Sequence, residues 1–327
     1  MRRCFVCSAD MLVPTERCLI YSNGRTQAFP WACGSCGMLL ADDADPAACR
    51  AHLDAHLAAP VFESDPGAPY GLDLYTLRIA ATRRALGTRP LDEAGGAALR
   101  QPHDRQAARA GLFPLGEADR LPVSLGLICR AAERDAVLAS LPDRAGWTDD
   151  VAILLDGPTS EPRAVPVNGF PAGAVRVASR PLDGDFAAQR NALQDLARHD
   201  WMLQLDADET LPLAAGRLLP ALAALAQAGD VVSVGLARAN RVDGMLSDVF
   251  PDVQYRLNHR TVRYAGLVHE RPILDGGWPR SFIALHGVIT HALSRAHVLA
   301  RSQCYEALDP GRGRLEEEAA LLRPFAL

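Results

Sequence analysis

The chain has 327 residues, more than the roughly 250–300 at which a single hydrophobic core stops growing, so the sequence predicts two domains. Its hydrophobic content of 49% excludes a chain that is disordered throughout, and its net charge of −5 argues against a protein that mainly coats nucleic acid. No apolar run reaches the ~18 residues of a membrane span, and the N-terminus has no apolar signal segment. We therefore expect a cytoplasmic protein, with a peripheral position at the inner face of the membrane left open.

Cysteine pairs mark the start of the chain. Cys4 and Cys7 are separated by two residues, as are Cys33 and Cys36, and each pair places two thiolates within reach of one ion. A disulfide framework is not expected without a signal segment, because cytosolic thiols stay reduced. The alternative is that these cysteines are buried as small hydrophobic residues. We predict a zinc-ribbon-like domain over residues 1–59, in which Zn²⁺ is structural.

A helix is predicted to follow the cysteine pairs. Asp45 is a typical N-cap and Pro46 a typical first helical residue, so the helix begins there and runs to about residue 58. A candidate second metal site consists of residues on one face of this helix and one upstream cysteine: Cys18, Cys49, His52 and His56. Because Cys18 has no partner at the spacing of a cysteine pair, we favour a helix that packs through its leucines while its histidines face solvent.

Residues 60–120 are predicted to be a connecting region rich in proline and glycine, with one helix over residues 72–86. From residue 121 onwards, buried strands alternate with helices. The strands are predicted over residues 123–129, 151–155, 174–177 and 201–205, and the helices over residues 134–141 and 186–199. This alternation is typical of an α/β domain with a mostly parallel sheet, here residues 121–327, which binds ligands beyond the carboxyl ends of its strands.

Carboxylates stand at two of those strand ends. Asp156 ends the second strand, and Asp206 and Asp208 directly follow the fourth. Two carboxylates one residue apart can reach the same Mg²⁺ or Mn²⁺ ion, which in turn neutralises a diphosphate. The alternative is a polar turn in which Asp206 or Asp208 caps a helix and Glu209 strengthens its first turn.

Short motifs in a fixed order add context to these carboxylates. They span residues 126–133, 155–161, 186–191, 200–209, 254–257 and 264–270. In this order they resemble family 2 glycosyltransferases, which have the GT-A fold, a Rossmann-like architecture. The last two resemble the bacterial branch that acts on lipopolysaccharide-core and other cell-surface or protein acceptors. The resemblance covers about residues 121–308.

The resemblance implies an inverting glycosyltransferase that uses a nucleotide-sugar donor and a divalent cation, Mg²⁺ or Mn²⁺. Asp156 would bind the nucleobase, and Arg190 would pair with phosphate or hold the acidic loop. Asp206 would contact the ribose or donor sugar, and Asp208 would be the direct metal ligand, with Asp206 beside it. The acceptor would be a carbohydrate, a lipid-linked molecule or a protein, and no specific nucleic acid is expected.

An inverting reaction also needs a general base for the acceptor hydroxyl. We assign this role first to Glu270 and second to Asp252. His286 or His291 would supply a further metal ligand or a phosphate contact, and His269 is a further candidate, with a buried histidine bonded to backbone as its alternative.

The sequence departs from the family pattern in two places. Ala132 and Glu133 stand where Asn-Glu is usual, and Glu161 stands where an Asp is usual. Two other functions stay open. One is a nucleotidyltransferase with the same acidic cation site, although residues 129–132 lack the glycine-rich loop it would need. The other is a non-catalytic scaffold that joins the zinc module to a transferase-like fold.

Overall fold

The computed structural model describes residues 3–311 and 315–326. The N-terminal part consists of β1 (Leu12–Pro14), β2 (Cys18–Ile20), β3 (Thr26–Ala28), β4 (Trp31–Cys33), β5 (Leu39–Leu40), α1 (Pro46–His56), β6 (Val61–Glu63) and β7 (Tyr70–Gly71). An antiparallel sheet has the order β1-β4-β5-β7, and β2 and β3 form a hairpin. The predicted helix is confirmed as α1, because the Asp45 side chain accepts from the Ala47 and Ala48 amides and satisfies the free N–H groups of the first turn.

The region predicted as a connection contains more regular structure than expected. It comprises α2 (Leu74–Thr82), β8 (Leu86–Arg89), α3 (Glu93–Ala98) and β9 (Arg109–Pro114), and β6, β9 and β8 form a second antiparallel sheet. Helix α2 is shorter than predicted and begins after its N-cap, Asp73. It packs on the start of a later strand: the Tyr75 hydroxyl donates to the Ser281 carbonyl at 2.7 Å, and Thr82 Oγ1 accepts from the Leu285 amide at 2.8 Å.

The remaining elements form an α/β unit. In chain order they are β10 (Val123–Arg130), α4 (Arg134–Ala145), β11 (Val151–Asp156), β12 (Ser160–Ala164), β13 (Val175–Arg180), α5 (Phe186–Asp195), β14 (Trp201–Asp206), β15 (Glu209–Thr210), α6 (Leu213–Gly216), α7 (Leu219–Ala228), β16 (Ser233–Val242), β17 (Met245–Leu246), β18 (Asp252–His259), β19 (Arg263–Ala265), β20 (Arg271–Ile273), β21 (Ser281–Leu293), α8 (Arg295–Leu308) and α9 (Leu315–Leu321). The predicted strands correspond to β10, β11, β13 and β14. Helix α5 ends four residues earlier than predicted.

Most of these strands belong to one large mixed sheet, in the order β12-β13-β11-β10-β14-β18-β16-β21-β15 within the described chain, with β17 added to β16. The expected parallel arrangement holds from β13 to β14, and β16 and β21 are also parallel. Strand β18 is antiparallel to β14 and to β16. As a result, the end of β14, the start of β18 and the second halves of β16 and β21 lie at the same edge of the sheet. We call it the carboxyl edge.

The main cluster of the hydrophobic core spans both parts of the molecule. One cluster of buried residues extends from Cys4 through Trp201 to Ile289, so the cysteine-rich start and the α/β unit share their packing. Helix α5 packs closely on β10 at Gly126, where a Cβ atom would come within 2.8 Å of Leu193 Cδ2. That approach requires glycine. Among the described helices, none combines the length and apolar composition that a membrane crossing requires.

Residues near the two ends of the described chain are joined by Arg3. Its Nε donates to the Ala326 carbonyl at 2.8 Å, and its Nη1 donates to the Phe250 carbonyl at 3.0 Å. Its Nη2 pairs with Asp248. The residue next to Cys4 therefore holds the segment that leads into β18.

Candidate functional site

The four paired cysteines meet at one buried point. Their sulfur atoms all lie within 4.8 Å of one another, with 3.6 Å between Cys4 and Cys36 and 3.6 Å between Cys7 and Cys33. A tetrahedral ZnS₄ centre with Zn–S bonds of about 2.3 Å has S–S edges of about 3.8 Å, so the set fits zinc. Contact with Cys33 and the other sulfurs, together with burial, raises the pKa of the Cys36 thiol. A bound cation would reverse that shift by stabilising the thiolate.

The two cysteine loops have the same backbone geometry. The Ser8 amide donates to the Cys4 carbonyl at 2.8 Å, and the Gly37 amide donates to the Cys33 carbonyl at 2.9 Å. Both donors are left-handed, with φ of +67° at Ser8 and +85° at Gly37. This turn aims both sulfurs of a pair to the same side, and it explains why glycine follows Cys36.

The candidate second cysteine and histidine site is not assembled. Within the described part of the chain, the four paired cysteines form the one group of three or more potential metal ligands whose ligand atoms all lie within 4.8 Å of one another. The set of Cys18, Cys49, His52 and His56 does not form such a group. His52 Nδ1 instead lies 2.8 Å from the Tyr70 hydroxyl, and its Nε2 lies 3.4 Å from Asp65 Oδ2. Cys18 lines a separate cavity of about 250 Å³ with Arg17 and His103.

The second candidate site is the carboxyl edge, and it begins with the turn after β14. Glu209 shapes this turn from inside: its carboxylate is fully buried and accepts from the Asp206 amide at 3.1 Å. The Arg238 guanidinium compensates that buried charge with a contact of 2.7 Å. The turn is thus held by an internal ion pair, and its other carboxylates, Asp206 and Asp208, lie on its outer side with about a third of each side chain exposed.

Asp206 is held by arginines. Arg190 Nη2 donates to both carboxylate oxygens, at 2.8 and 3.0 Å, and Arg256 Nη2 donates to Oδ2 at 3.2 Å. Partial burial raises the pKa of Asp206, Arg190 opposes that shift, and the neighbouring carboxylates reinforce it, so that the pKa is about 7. The two arginines occupy most of the lone pairs of Asp206 and leave Asp208 as the more accessible ligand of the pair.

Glu270 is brought to Asp206 by Arg190, whose Nε donates to its carboxylate. Helix α5 fixes the segment that carries Glu270. The Asn191 side chain bonds the Tyr264 amide and carbonyl, at 2.8 and 3.0 Å, and the Phe186 amide donates to the Leu267 carbonyl at 3.1 Å. Glu270 therefore lies beside Asp206, whereas the ring of the preceding residue, His269, packs edge-on against Tyr305.

Asp208 faces a histidine from the far end of the sheet. Strand β21 lies between β16 and β15, which makes His291 the Cα partner of both Asn240 and Glu209. His291 Nε2 lies 3.3 Å from Asp208 Oδ2, and its Nδ1 lies 2.7 Å from Asn240 Oδ1. Burial opposes ionisation of Asp208, but the contact with His291 outweighs it and lowers the pKa of Asp208.

Asp252, at the start of β18, completes the network. Its Oδ2 accepts from Arg238 Nε and from Asn240 Nδ2, each at 3.0 Å, and its Oδ1 accepts from Gln254 Nε2 at 2.6 Å. Burial by itself would raise the pKa of Asp252. The contacts with Arg238 and the two side-chain amides outweigh burial and lower the pKa to about 2. A carboxylate with so low a pKa is a weak base.

Two predicted site residues lie outside this network. Asp156 stands at the same edge of the sheet, opposite Arg130, and its Oδ1 accepts from the Leu182 amide at 3.0 Å. His286 lies in the irregular part of β21, between the residues that pair with Leu236 and Arg238, and burial lowers its pKa.

The sequence interpretation gave no role to Arg238, Asn240 or Arg256, and it gave Glu209 only a capping role. The two-residue spacing of these polar side chains in their strands could have indicated them. Arg238 and Asn240 are two residues apart in a largely buried strand, and so share one face, as Asp252, Gln254 and Arg256 do in theirs. The described network contains five carboxylates: Asp206, Asp208, Glu209, Asp252 and Glu270. Three arginines, Arg190, Arg238 and Arg256, lie among them, and a fourth arginine, Arg144, donates to the backbone carbonyl of Glu209. The remaining negative charge favours a cation.

A cavity of about 310 Å³ lies elsewhere, at the amino ends of β10 and β11. It is lined by Pro122, Val123, Gly146, Trp147, Thr148, Asp149 and Pro220. It contains none of the charged residues of the carboxyl edge. Because parallel sheets bind ligands beyond the carboxyl ends of their strands, we take the charged edge as the candidate functional site.

Comparisons with known proteins give little further information. No family model and no curated protein matches the chain. A solved structure of residues 1–349 of TarS from S. aureus is similar, with a TM-score of 0.34 and 9% identity, over 61% of this chain and 77% of that one. A similarity of this degree carries no argument about the carboxyl edge.

Proposed function

We propose that the protein is a glycosyltransferase of GT-A fold that moves a sugar from a nucleotide-sugar donor to an acceptor hydroxyl, with inversion, and uses a divalent cation. The observation that carries this proposal is the facing pair of Asp208 and His291 at the carboxyl edge, 3.3 Å apart, beside the carboxylates of Asp206 and Glu270. The order of the sequence motifs supports the same conclusion.

Asp208 and His291 are the residues that would hold the cation. One carboxylate oxygen and one imidazole nitrogen suit Mn²⁺ better than Mg²⁺, which prefers oxygen ligands. When bound, the cation would offset the negative charge that develops on the departing nucleoside diphosphate. Two protein ligands leave coordination positions free for phosphate oxygens, as a catalytic site requires.

The other residues of the edge would bind and orient the donor and the acceptor. Asp206, fixed by Arg190 and Arg256, would accept from the ribose or donor-sugar hydroxyls, and Asp156 would bind the nucleobase through its free oxygen. Glu270 would take the proton of the acceptor hydroxyl. We place Asp252 second, because Arg238, Asn240 and Gln254 hold both of its oxygens and keep its pKa at about 2, which makes it a weak base.

The remaining predictions concern organisation. We propose a zinc-ribbon-like domain over residues 1–59, a connection over residues 60–120 and the transferase domain over residues 121–327. The acceptor would be a carbohydrate, a lipid-linked molecule or a protein. His286 stays a candidate for a further metal ligand or a phosphate contact, and His269 stays a further candidate site residue.

One observation favours a second candidate, the non-catalytic scaffold. Asp206 and Glu270 are both paired with Arg190, so the network would also be stable as a purely structural one. A nucleotidyltransferase is less favoured, because the turn after β10 has no glycine and is closed by Glu133, which accepts from the Arg130 amide at 2.9 Å.

A binding experiment separates these candidates. Zinc-loaded protein is mixed with the diphosphate sugars of uridine, guanosine, cytidine or adenosine, with and without Mn²⁺, and its melting temperature is measured. We expect one nucleotide to stabilise the fold in the presence of Mn²⁺, by about 2.7 kcal/mol at 100 times its dissociation constant. Mass spectrometry of the products with candidate acceptors then tests sugar transfer.

Asp208→Asn should abolish that stabilisation. The matched control is Asp149→Asn, which disrupts an aspartate–histidine pair of 2.8 Å, with His199, at the opposite edge of the sheet, and should leave it intact. A wild-type protein that no nucleotide stabilises in the presence of Mn²⁺ would contradict the proposal and favour the scaffold. If Asp208→Asn retains the stabilisation, the cation binds somewhere other than at Asp208.

A further inference from the structure

The orientation of the Asn240 side chain is determined by its neighbour Asp252. The Asp252 carboxylate accepts from Arg238 and, at 3.0 Å, from Asn240 Nδ2. An ionised carboxylate has no proton to donate, so the amide must present its NH₂ group to Asp252. The amide oxygen of Asn240 therefore faces the other way, 2.7 Å from His291 Nδ1.

This orientation determines which nitrogen of His291 carries the proton. The Asn240 oxygen is an acceptor, so Nδ1 must be the N–H donor, and in the neutral ring Nε2 then has a free lone pair. That lone pair points toward Asp208 Oδ2, a second acceptor, at 3.3 Å. Two facing acceptors repel unless a cation or a proton lies between them, and a proton in that position accounts for the lowered pKa of Asp208.

We propose that Asn240, anchored by Asp252, is a positioning residue that holds His291 in its Nδ1–H tautomer and so directs the lone pair of Nε2 toward Asp208. The inference rests on the proposed function only in that Nε2 would serve the cation named there. Asn240 and His291 are 1% and 4% exposed, so water has little room to replace the amide. Asp252 then acts through Asn240 and does not touch the reacting atoms.

The tautomer can be measured without activity. Zinc-loaded protein with ¹⁵N-labelled histidine is studied by long-range ¹H–¹⁵N NMR, free of other divalent cations, at mildly alkaline pH. The His291 signal is identified by its loss in His291→Gln. We expect a protonated Nδ1, with Nε2 either unprotonated or carrying the proton that replaces the cation opposite Asp208. An unprotonated Nδ1 with a protonated Nε2 would overturn the proposal.

Two variants test the role of Asn240. Asn240→Leu removes the amide at similar size, and Asp252→Asn retains the side-chain shape but removes the acceptor that orients the amide. We expect both to produce a mixture of tautomers and to weaken Mn²⁺ binding, measured by electron paramagnetic resonance, by roughly 10- to 100-fold, the usual effect of losing a partner of a metal-binding histidine. If Asn240→Leu fails to fold, the tautomer and the Mn²⁺ affinity of Asp252→Asn still test the role of Asn240.

The inference and the proposed function can fail separately. An unchanged tautomer and unchanged Mn²⁺ affinity in a folded variant would overturn the positioning role, even if the wild type binds Mn²⁺ and a nucleotide sugar. Conversely, the expected tautomer in a wild-type protein that binds no Mn²⁺ would contradict the proposed function and support the positioning role.

Discussion

The protein has two candidate metal centres of opposite construction. The cysteine cluster takes four like ligands from two short loops and buries all of them. The carboxyl edge brings one carboxylate and one imidazole together from residues 83 positions apart, and about a third of the Asp208 side chain stays exposed. The first set fills a tetrahedron, whereas the second leaves positions open. On this difference we base the proposal that one centre is structural and the other catalytic.

The two centres also differ in what holds them together. The four sulfurs of the cysteine cluster contact one another inside the hydrophobic core, so we expect a cation to stabilise them. The carboxyl edge is held by its own arginines, which pair with four of its five described carboxylates. We therefore expect loss of metal to unfold the first and leave the second folded.

The largest expected effect is that of zinc removal. Structural zinc sites have apparent binding free energies of about 10–16 kcal/mol, so a zinc chelator, or Cys36→Ser, should unfold the N-terminal part and lower the melting temperature sharply. Calorimetry and elemental analysis, with one zinc per chain expected, check this. The exposed Cys304 gives the control, because Cys304→Ser should change neither. Purified protein without zinc that melts identically with the chelator would contradict the assignment.

The next effect concerns the ion pairs of the carboxyl edge. Arg238→Met leaves the buried carboxylate of Glu209 and the half-buried carboxylate of Asp252 without their shared partner, and should lower the free energy of unfolding by about 3–5 kcal/mol in urea titrations. Arg263→Met disrupts an exposed pair with Asp195 and should cost less than about 1 kcal/mol. Equal losses in the two variants would mean that the network does not stabilise the edge.

A smaller effect depends on pH. The pKa of Asp252 is about 2 in the fold, below the usual value of about 3.9, so its ionised form stabilises the folded state. That contribution, about 2 kcal/mol, is fully present above about pH 4 and is lost as the pH falls toward 2. The difference in unfolding free energy between wild type and Asp252→Asn should shrink over this interval. A difference that stays constant from pH 5 to pH 2 would show that Asp252 is not so stabilised.

The smallest effect compares the two cysteine loops. Ser8 and Gly37 occupy equivalent left-handed positions, but only glycine adopts this conformation without strain. Ser8→Gly should raise the free energy of unfolding by up to about 1 kcal/mol, whereas Gly37→Ala should lower it by more, since its Cβ atom would lie 2.8 Å from Thr76 Oγ1. Thermal melts of the zinc-loaded variants test both. A loss of stability in Ser8→Gly would indicate that the Ser8 side chain has another role.

Local patterns in the sequence explain what could be predicted. The cysteine spacing, the Asp45 cap of α1 and the apolar runs of β10, β11 and β14 each depend on a few neighbouring residues. The antiparallel sheet in the connecting region was not predicted, because its strands are short and interrupted by glycine and proline. Helix α5 ends early because the Leu196 and Ala197 amides close a last tight turn on Leu193 and Gln194, which apolar spacing does not reveal.

The carboxyl edge was only partly predictable, for a different reason. Asp206, Asp208, Arg190 and Glu270 were singled out by their motifs, but which atoms they contact depends on strand register. The pairing of β16 with β21 places His291 opposite Asn240, and that register involves residues 51 positions apart with an irregularity between them. Sequence spacing cannot fix such a pairing.

The hydrogen bonds and the ion pair that Arg3 forms with Asp248, Phe250 and Ala326 have a practical consequence for fusion proteins. A bulky group placed beside Arg3 or Ala326 would compete with Arg3 for the stretch of backbone that enters β18. The turn at Gly169, between β12 and β13 at the outer border of the large sheet, has open space around it. Inserting a small epitope there should report on the protein without disturbing the loop that precedes Asp252.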